Sequence, residues 1–139
     1  MTPRLPSRLR GSDGTALVEF TLILPLFLML LFGIIDFGRA YSASVTLTNA
    51  VREGARYGIT GQTAANIQSR TKTAAGPYND GNLTVTVTNA QGTAGTSLVV
   101  QGSYQFSFLT PLVGIAKLVS GGTLPSTLTL TSSADMRIE

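Results

Sequence analysis

Residues 14–35 read GTALVEFTLILPLFLMLLFGII, twenty-two positions with one ionisable side chain, Glu19. A hydrocarbon core of about 30 Å needs roughly 20 apolar residues at 1.5 Å of rise each, so this run is long enough to cross a bilayer as a single helix. A secretory signal peptide has a shorter apolar region, about 7–15 residues, followed by small residues at a cleavage site. Here the run is longer and a carboxylate lies inside it, although the small residues of Tyr41-Ser42-Ala43-Ser44 keep a signal-peptide reading open. Arg4, Arg8 and Arg10 precede the run, whereas Asp36 and Arg39 cancel after it. That asymmetry predicts a cytoplasmic N-terminus and an extracytoplasmic remainder.

The helical pattern continues past the apolar run. Residues 36–58, DFGRAYSASVTLTNAVREGARYG, contain no Pro and sort into stripes at spacings of three and four. One stripe is Ala40, Ala43, Leu47, Ala50, Gly54 and Tyr57; a second is Phe37, Tyr41, Val45 or Thr48, Val51 and Ala55. Arg39, Ser42, Thr46, Asn49, Glu53 and Arg56 form the polar face. A helix from about Thr15 to Gly58 would be roughly 65 Å long, about twice the hydrocarbon thickness, so half of it must pack outside the bilayer. The small-residue stripe suits packing on the chain's own domain, and it equally suits close approach by neighbouring subunits. Pro25, Gly33 and Gly38 are the points where such a helix would bend or open.

Gly58–Gly61 breaks the pattern, and residues 64–75 read as a short second helix ending at Gly76-Pro77. Leu83–Thr88 alternates apolar and hydroxyl residues with period two, as a half-buried strand does. Residues 97–108 form a second strand with Tyr104, Phe106 and Phe108 on one face and Gly102 as the site of an expected bulge. Pro111–Val119 reads as a short amphipathic helix or a buried loop, and Leu128–Thr131 opens a last strand running toward Ile138. The expected architecture is α+β. A basic leader (1–14) and a transmembrane helix (15–35) are followed by its extracytoplasmic continuation (36–58) and a small domain (59–139) with an antiparallel sheet of three to four strands.

Composition limits the chemistry. The 139-residue chain has no Cys, His or Trp, which excludes a disulfide scaffold, thiolate or imidazole metal sites, and Cys- or His-based catalysis. Asp36, Glu53, Asp80, Asp135 and Glu139 form no recognisable acid/base pair, and Lys117 on its apolar stretch is a snorkelling surface lysine. We therefore expect no catalytic residues, no metal, no cofactor and no small-molecule substrate. The net charge of +3 comes with scattered basic residues rather than a basic, aromatic-studded patch, so nucleic acid is not an expected partner. Only 12% of residues are charged, about half the usual share for a soluble domain, and Lys117 is the one charge between Asp80 and Asp135. Such a hydroxyl-rich surface belongs either to an ordinary extracytoplasmic sheet or to one covered by other subunits.

Glu19 needs a reason to be where it is. An ionised carboxylate costs about 2.5–3.5 kcal/mol at the bilayer centre and less near an interface. The apolar run supplies no cation for it. Cleavage between Gly14 and Thr15 would create one, an α-amino group one helical turn before Glu19, in the same molecule or offered to a neighbour.

The run Gly14-Thr15-Ala16-Leu17-Val18-Glu19-Phe20 resembles the class III prepilin signal of type IVb pilins of the tight-adherence (Tad) systems: a Gly, four residues, Glu and an aromatic. GTALVEFTLILPLFLMLLFGIIDFGRAY with the later NAVREGARYG resembles the TadE-like pseudopilins in particular, and SYQFSFLTPLVG and the final SADMRIE are similar to that family's ending. The resemblance implies that Gly14 is the last leader residue and Thr15 the first mature one. Glu19 would then stand at the fifth mature position, needed for assembly, with Phe20 as the following aromatic. It further implies a prepilin peptidase acting on the cytoplasmic side, other pilin and pseudopilin subunits, and the inner-membrane platform and ATPase of a pilus machine as partners, besides membrane lipid. The function implied is that of a minor pilin that primes or caps a thin pilus. The major pilin of such systems is much shorter, and the roughly 80 residues beyond the long helix depart from it. The alternative is an uncleaved signal anchor presenting a β-domain to a surface partner.

Overall fold

In a computed structural model, residues 11–111, 114, 117, 121–122 and 126–139 are described, with side chains from Gly14 onward. The element order is α1 (Gly11–Gly58), α2 (Ala64–Ala74), a 3-10 turn (Gly76–Tyr78), β1 (Leu83–Thr88), β2 (Ser97–Ser107) and β3 (Thr127–Arg137). This is an α+β fold with a long apolar helix, a short second helix and a three-stranded antiparallel sheet in the order β1-β2-β3.

The helix α1 runs unbroken through Pro25, Gly33 and Gly38. It begins at Gly11 rather than near Thr15. Helix α2 is capped by Thr63, whose hydroxyl accepts the Asn66 N–H at 3.3 Å, and it closes through the Ala75 N–H on Thr71 O at 3.0 Å. The turn between β1 and β2 places Asn89 and Gln91 at positive φ. The Asn89 amide compensates by donating to Thr96 Oγ1 and Ser97 O, both at 2.9 Å.

The sheet lies along the outer half of α1. Leu98, Val100, Tyr104 and Phe106 alternate inward on β2, joined by Leu83 and Val85 from β1 and Ala134 from β3, and they pack against Ala43, Leu47, Ala50, Val51 and Ala55 of α1. Ile67 of α2 completes the core. The strand β2 runs antiparallel to α1: Leu98 lies at Gly58, Gly102 at Leu47 and Val51, and Phe106 at Arg39. Eleven residues of strand span about 37 Å and the twenty-three from 36 to 58 of helix about 35 Å, so the two elements match in length.

Gly102 makes no bulge. Pairing is continuous on both sides, with Val85 opposite Gly102 and Gly102 opposite Ser132. The glycine instead allows close approach, since a Cβ there would come within 2.8 Å of Leu47 Cδ1 and Val51 Cγ2. The segment read as an amphipathic helix or buried loop, Pro111–Val119, falls largely outside the described residues.

Candidate functional site

The apolar half of α1 is bare. Leu17, Val18, Phe20, Leu22, Leu26, Phe27 and Leu30 are all exposed, and the most apolar eighteen-residue window is not buried at all. A soluble protein would have to cover such a surface, because apolar area left in water loses about 25 cal/mol per Å². Among the described residues this is one helix long and apolar enough to cross a membrane.

The sequence-predicted cleavage and pairing residues lie at the start of that helix. Gly14 stands in open space, and Thr15, Glu19 and Phe20 are exposed. Thr15 and Glu19 are four apart on continuous helix, hence on one face. Glu19 makes no ion pair among the described residues. The 14–15 peptide bond lies inside the first turns of α1, in Gly11-Ser12-Asp13-Gly14, whose residue types are poor helix formers. Such a turn opens at low cost. The hydroxyl of Thr21, within the apolar stretch, is satisfied by donating to Leu17 O at 2.7 Å.

Where α1 leaves the apolar run, Asp36 is buried at 3% exposure and collects donors from far along the chain. Its Oδ1 accepts the Leu109 N–H at 3.3 Å and Arg39 Nη1 at 3.1 Å, and its Oδ2 accepts the Thr110 N–H at 3.4 Å and the Thr110 hydroxyl. Burial alone pushes this carboxyl up. The Thr110 hydroxyl, the two backbone N–H groups and Arg39 outweigh burial and hold it below the ordinary carboxylate range. The Arg39 guanidinium also lies 5.1 Å from the Phe106 ring centroid. The Asp36–Arg39 ion pair at the end of the apolar run is present at 3.1 Å, and it is one part of a clamp that ties the chain just past β2 to the helix. No local signal in the sequence links position 36 to 109–110.

A second tie joins helix and sheet higher up. Tyr78 donates to Ser42 Oγ at 3.1 Å and packs edge-on to Tyr104, with centroids 5.5 Å apart. Tyr104 donates to Asp80 Oδ2 at 3.0 Å, and Asp80 Oδ1 accepts the Asn82 N–H at 3.1 Å. Burial and the facing Asp80 raise the Tyr104 phenol. Burial pushes Asp80 up, but the Asn82 N–H and the Tyr104 hydroxyl hold it low. On the polar face, Arg70 reaches Glu53 at 2.7 Å and lowers its carboxyl, against a smaller opposing effect of burial.

The stripe Ala40, Ala43, Leu47, Ala50, Gly54 and Tyr57 faces the chain's own domain: Ala43, Leu47, Ala50 and Gly54 are buried, Ala40 and Tyr57 half-buried. A Cβ on Gly54 would collide with Thr71 Oγ1, and one on Gly58 with Leu98 and Ile67. The neighbouring stripe divides. Val51 and Ala55 are fully buried, whereas Phe37, Tyr41 and Val45 are exposed and extend the apolar surface beyond residue 35.

Residues 14–56 match the family described as TadE-like protein. The match takes in Gly14, Thr15, Glu19, Phe20, the Asp36–Arg39 pair and the stripe as far as Gly54, and leaves α2 and the sheet outside it. No curated protein and no solved structure matches the chain.

Proposed function

We propose that this chain, TadE-like over residues 14–56, is a minor pilin of a Tad-type IVb pilus, held in the cytoplasmic membrane by residues 15–35 and cut after Gly14. The observation that carries the reading is the coincidence of the family match with an apolar helix, largely exposed along its length, that has one carboxylate near its start. Arg4, Arg8 and Arg10 favour a cytoplasmic leader, on the side where a prepilin peptidase of this class works. Cleavage removes two of the three net positive charges and leaves an ammonium at Thr15, one turn from Glu19. Glu19 then enters the membrane or a neighbouring subunit as half of a pair. Other pilin subunits, the platform proteins and the ATPase are the expected partners, and the role is to prime or cap the filament rather than to catalyse a reaction.

N-terminal mass analysis of the membrane-extracted protein, from cells with and without the prepilin peptidase, tests this. A mature chain beginning at Thr15 only when the peptidase is present is expected. An intact Met1 in assembled protein overturns the proposal in favour of an uncleaved anchor.

A further inference from the structure

The Asp36 clamp sets the height of the sheet relative to the apolar helix. Residues 14–35 rise about 33 Å, close to the hydrocarbon thickness of about 30 Å, so Asp36 stands where hydrocarbon gives way to headgroups. Leu109 is hydrogen-bonded to Asp36 through its backbone N–H and therefore lies at that same level. Its side chain is 76% exposed. Leu128 pairs with Phe106, which sits beside Arg39 less than one helical turn above, and it too is exposed. Phe37, 73% exposed, adds a ring one residue past Asp36.

Charge is distributed to match. No acidic or basic residue occurs in 103–111 or 126–134, which form this end of β2 and β3; Asp36 is enclosed by its donors, Arg39 is paired with Asp36 and lies over Phe106, and Asp80 accepts from Tyr104. Asp135, Arg137, Arg52, Arg56, Arg70 and Lys72 all lie toward the other end, beyond the level of Gly102. A domain end with exposed leucines and no charge in its described strand ends, latched at the level of the hydrocarbon boundary, is suited to a lipid surface.

We propose that the Leu109 and Leu128 end of the sheet rests in the headgroup layer, with those side chains and Phe37 in the outer part of the acyl region. The domain is thereby seated on the bilayer rather than swinging above it. The inference rests on the reading that residues 15–35 span the membrane. It adds a second, separate contact with lipid.

The chain contains no Trp, so single-Trp variants report depth without background. The full chain is reconstituted in phosphatidylcholine–phosphatidylglycerol vesicles containing lipids brominated either near the headgroup or deep in the acyl chain. Leu26→Trp reports the span, Leu109→Trp and Leu128→Trp the sheet end, and Ala94→Trp the distal turn. We expect Leu26→Trp to lose emission to the deep bromines. Leu109→Trp and Leu128→Trp should lose it to the shallow ones with a blue shift, and Ala94→Trp to neither. Leu109→Trp and Leu128→Trp behaving like Ala94→Trp, while Leu26→Trp is still quenched, overturns the seating and leaves the span intact. An unquenched Leu26→Trp overturns the span itself, and the seating with it.

Discussion

Asp36 shows how much one carboxylate does when its acceptors are matched to donors from elsewhere in the fold. Replacing it by Ala leaves the N–H groups of Leu109 and Thr110 and the Thr110 hydroxyl without their acceptor, and Arg39 without its counter-charge. Hydrogen bonds to a charged group are worth about 1.5–3 kcal/mol, and stranded donors add a desolvation cost, so Asp36→Ala is expected to lose on the order of 3 kcal/mol. Asp36→Asn, which keeps one acceptor oxygen, should lose less. Urea unfolding of the full chain in detergent micelles measures both. The pH dependence has a defined sign. Because the folded carboxyl is held below its unfolded value, the clamp contributes fully above the ordinary carboxylate range, and that contribution is lost as pH falls below that range and through the lowered folded value. An Asp36→Asn variant that unfolds with the same acid dependence as the wild type would show that other carboxylates govern it. In sequence, Asp36 reads as a charge marking the end of an apolar run. Its real partners are 73 and 74 positions away, and only folding brings them together.

At the scale of elements, local periodicity sets most of the secondary structure. The alternation in Leu83–Thr88, the three-and-four spacing after Asp36 and the Gly76-Pro77 stop each fix a local backbone geometry that tertiary contacts did not need to override. Gly102 makes a close approach rather than the expected bulge: a strand glycine serves either, and the side chains that decide it, Leu47 and Val51, are fifty or more residues away. The small-residue stripe was ambiguous for the same reason: Ala and Gly at regular spacing show that something packs closely, not what. Here α2 is one answer. Thr71, fully buried, donates its hydroxyl to Ile67 O at 2.8 Å and occupies the space beside Gly54. Gly54→Ala is therefore expected to destabilise the domain by about 1–3 kcal/mol through overpacking. Thr71→Ala in the same chain removes the colliding oxygen and should restore part of that loss. The double-mutant cycle, measured by denaturant unfolding, should give a clearly favourable coupling between the two substitutions. Additive losses would mean that helix strain at position 54, not contact with α2, sets the cost.

Across the whole molecule, α1 is used twice. From Asp36 to Gly58 one side is covered by sheet and α2, while no residue of 14–35 is fully buried by the described residues and most are exposed. The apolar residues Phe37, Tyr41 and Val45 carry the bare surface outward on the side away from the core, so membrane contact and subunit contact would form one continuous face. Glu19 interrupts that face near its start, and its effect separates insertion from assembly. Removing a carboxylate from an apolar helix makes partition into lipid more favourable, since an ionised acid within a spanning segment is costly. Glu19→Ala should therefore insert at least as well as wild type, remain in the membrane after alkaline carbonate extraction, and still be cut after Gly14. It should nonetheless be lost from sheared filaments and from co-purification with the platform proteins, because the ammonium at Thr15 then loses Glu19 as its counter-charge, in its own helix or in a neighbour's. A Gly14 substitution that blocks cleavage should give the same assembly defect with Glu19 intact, since each change removes one member of the same pair. If Glu19→Ala is cut and still recovered in filaments at wild-type levels, the charge pair is not what joins this helix to its neighbours, and the exposed Phe37, Tyr41 and Val45 face must do so alone.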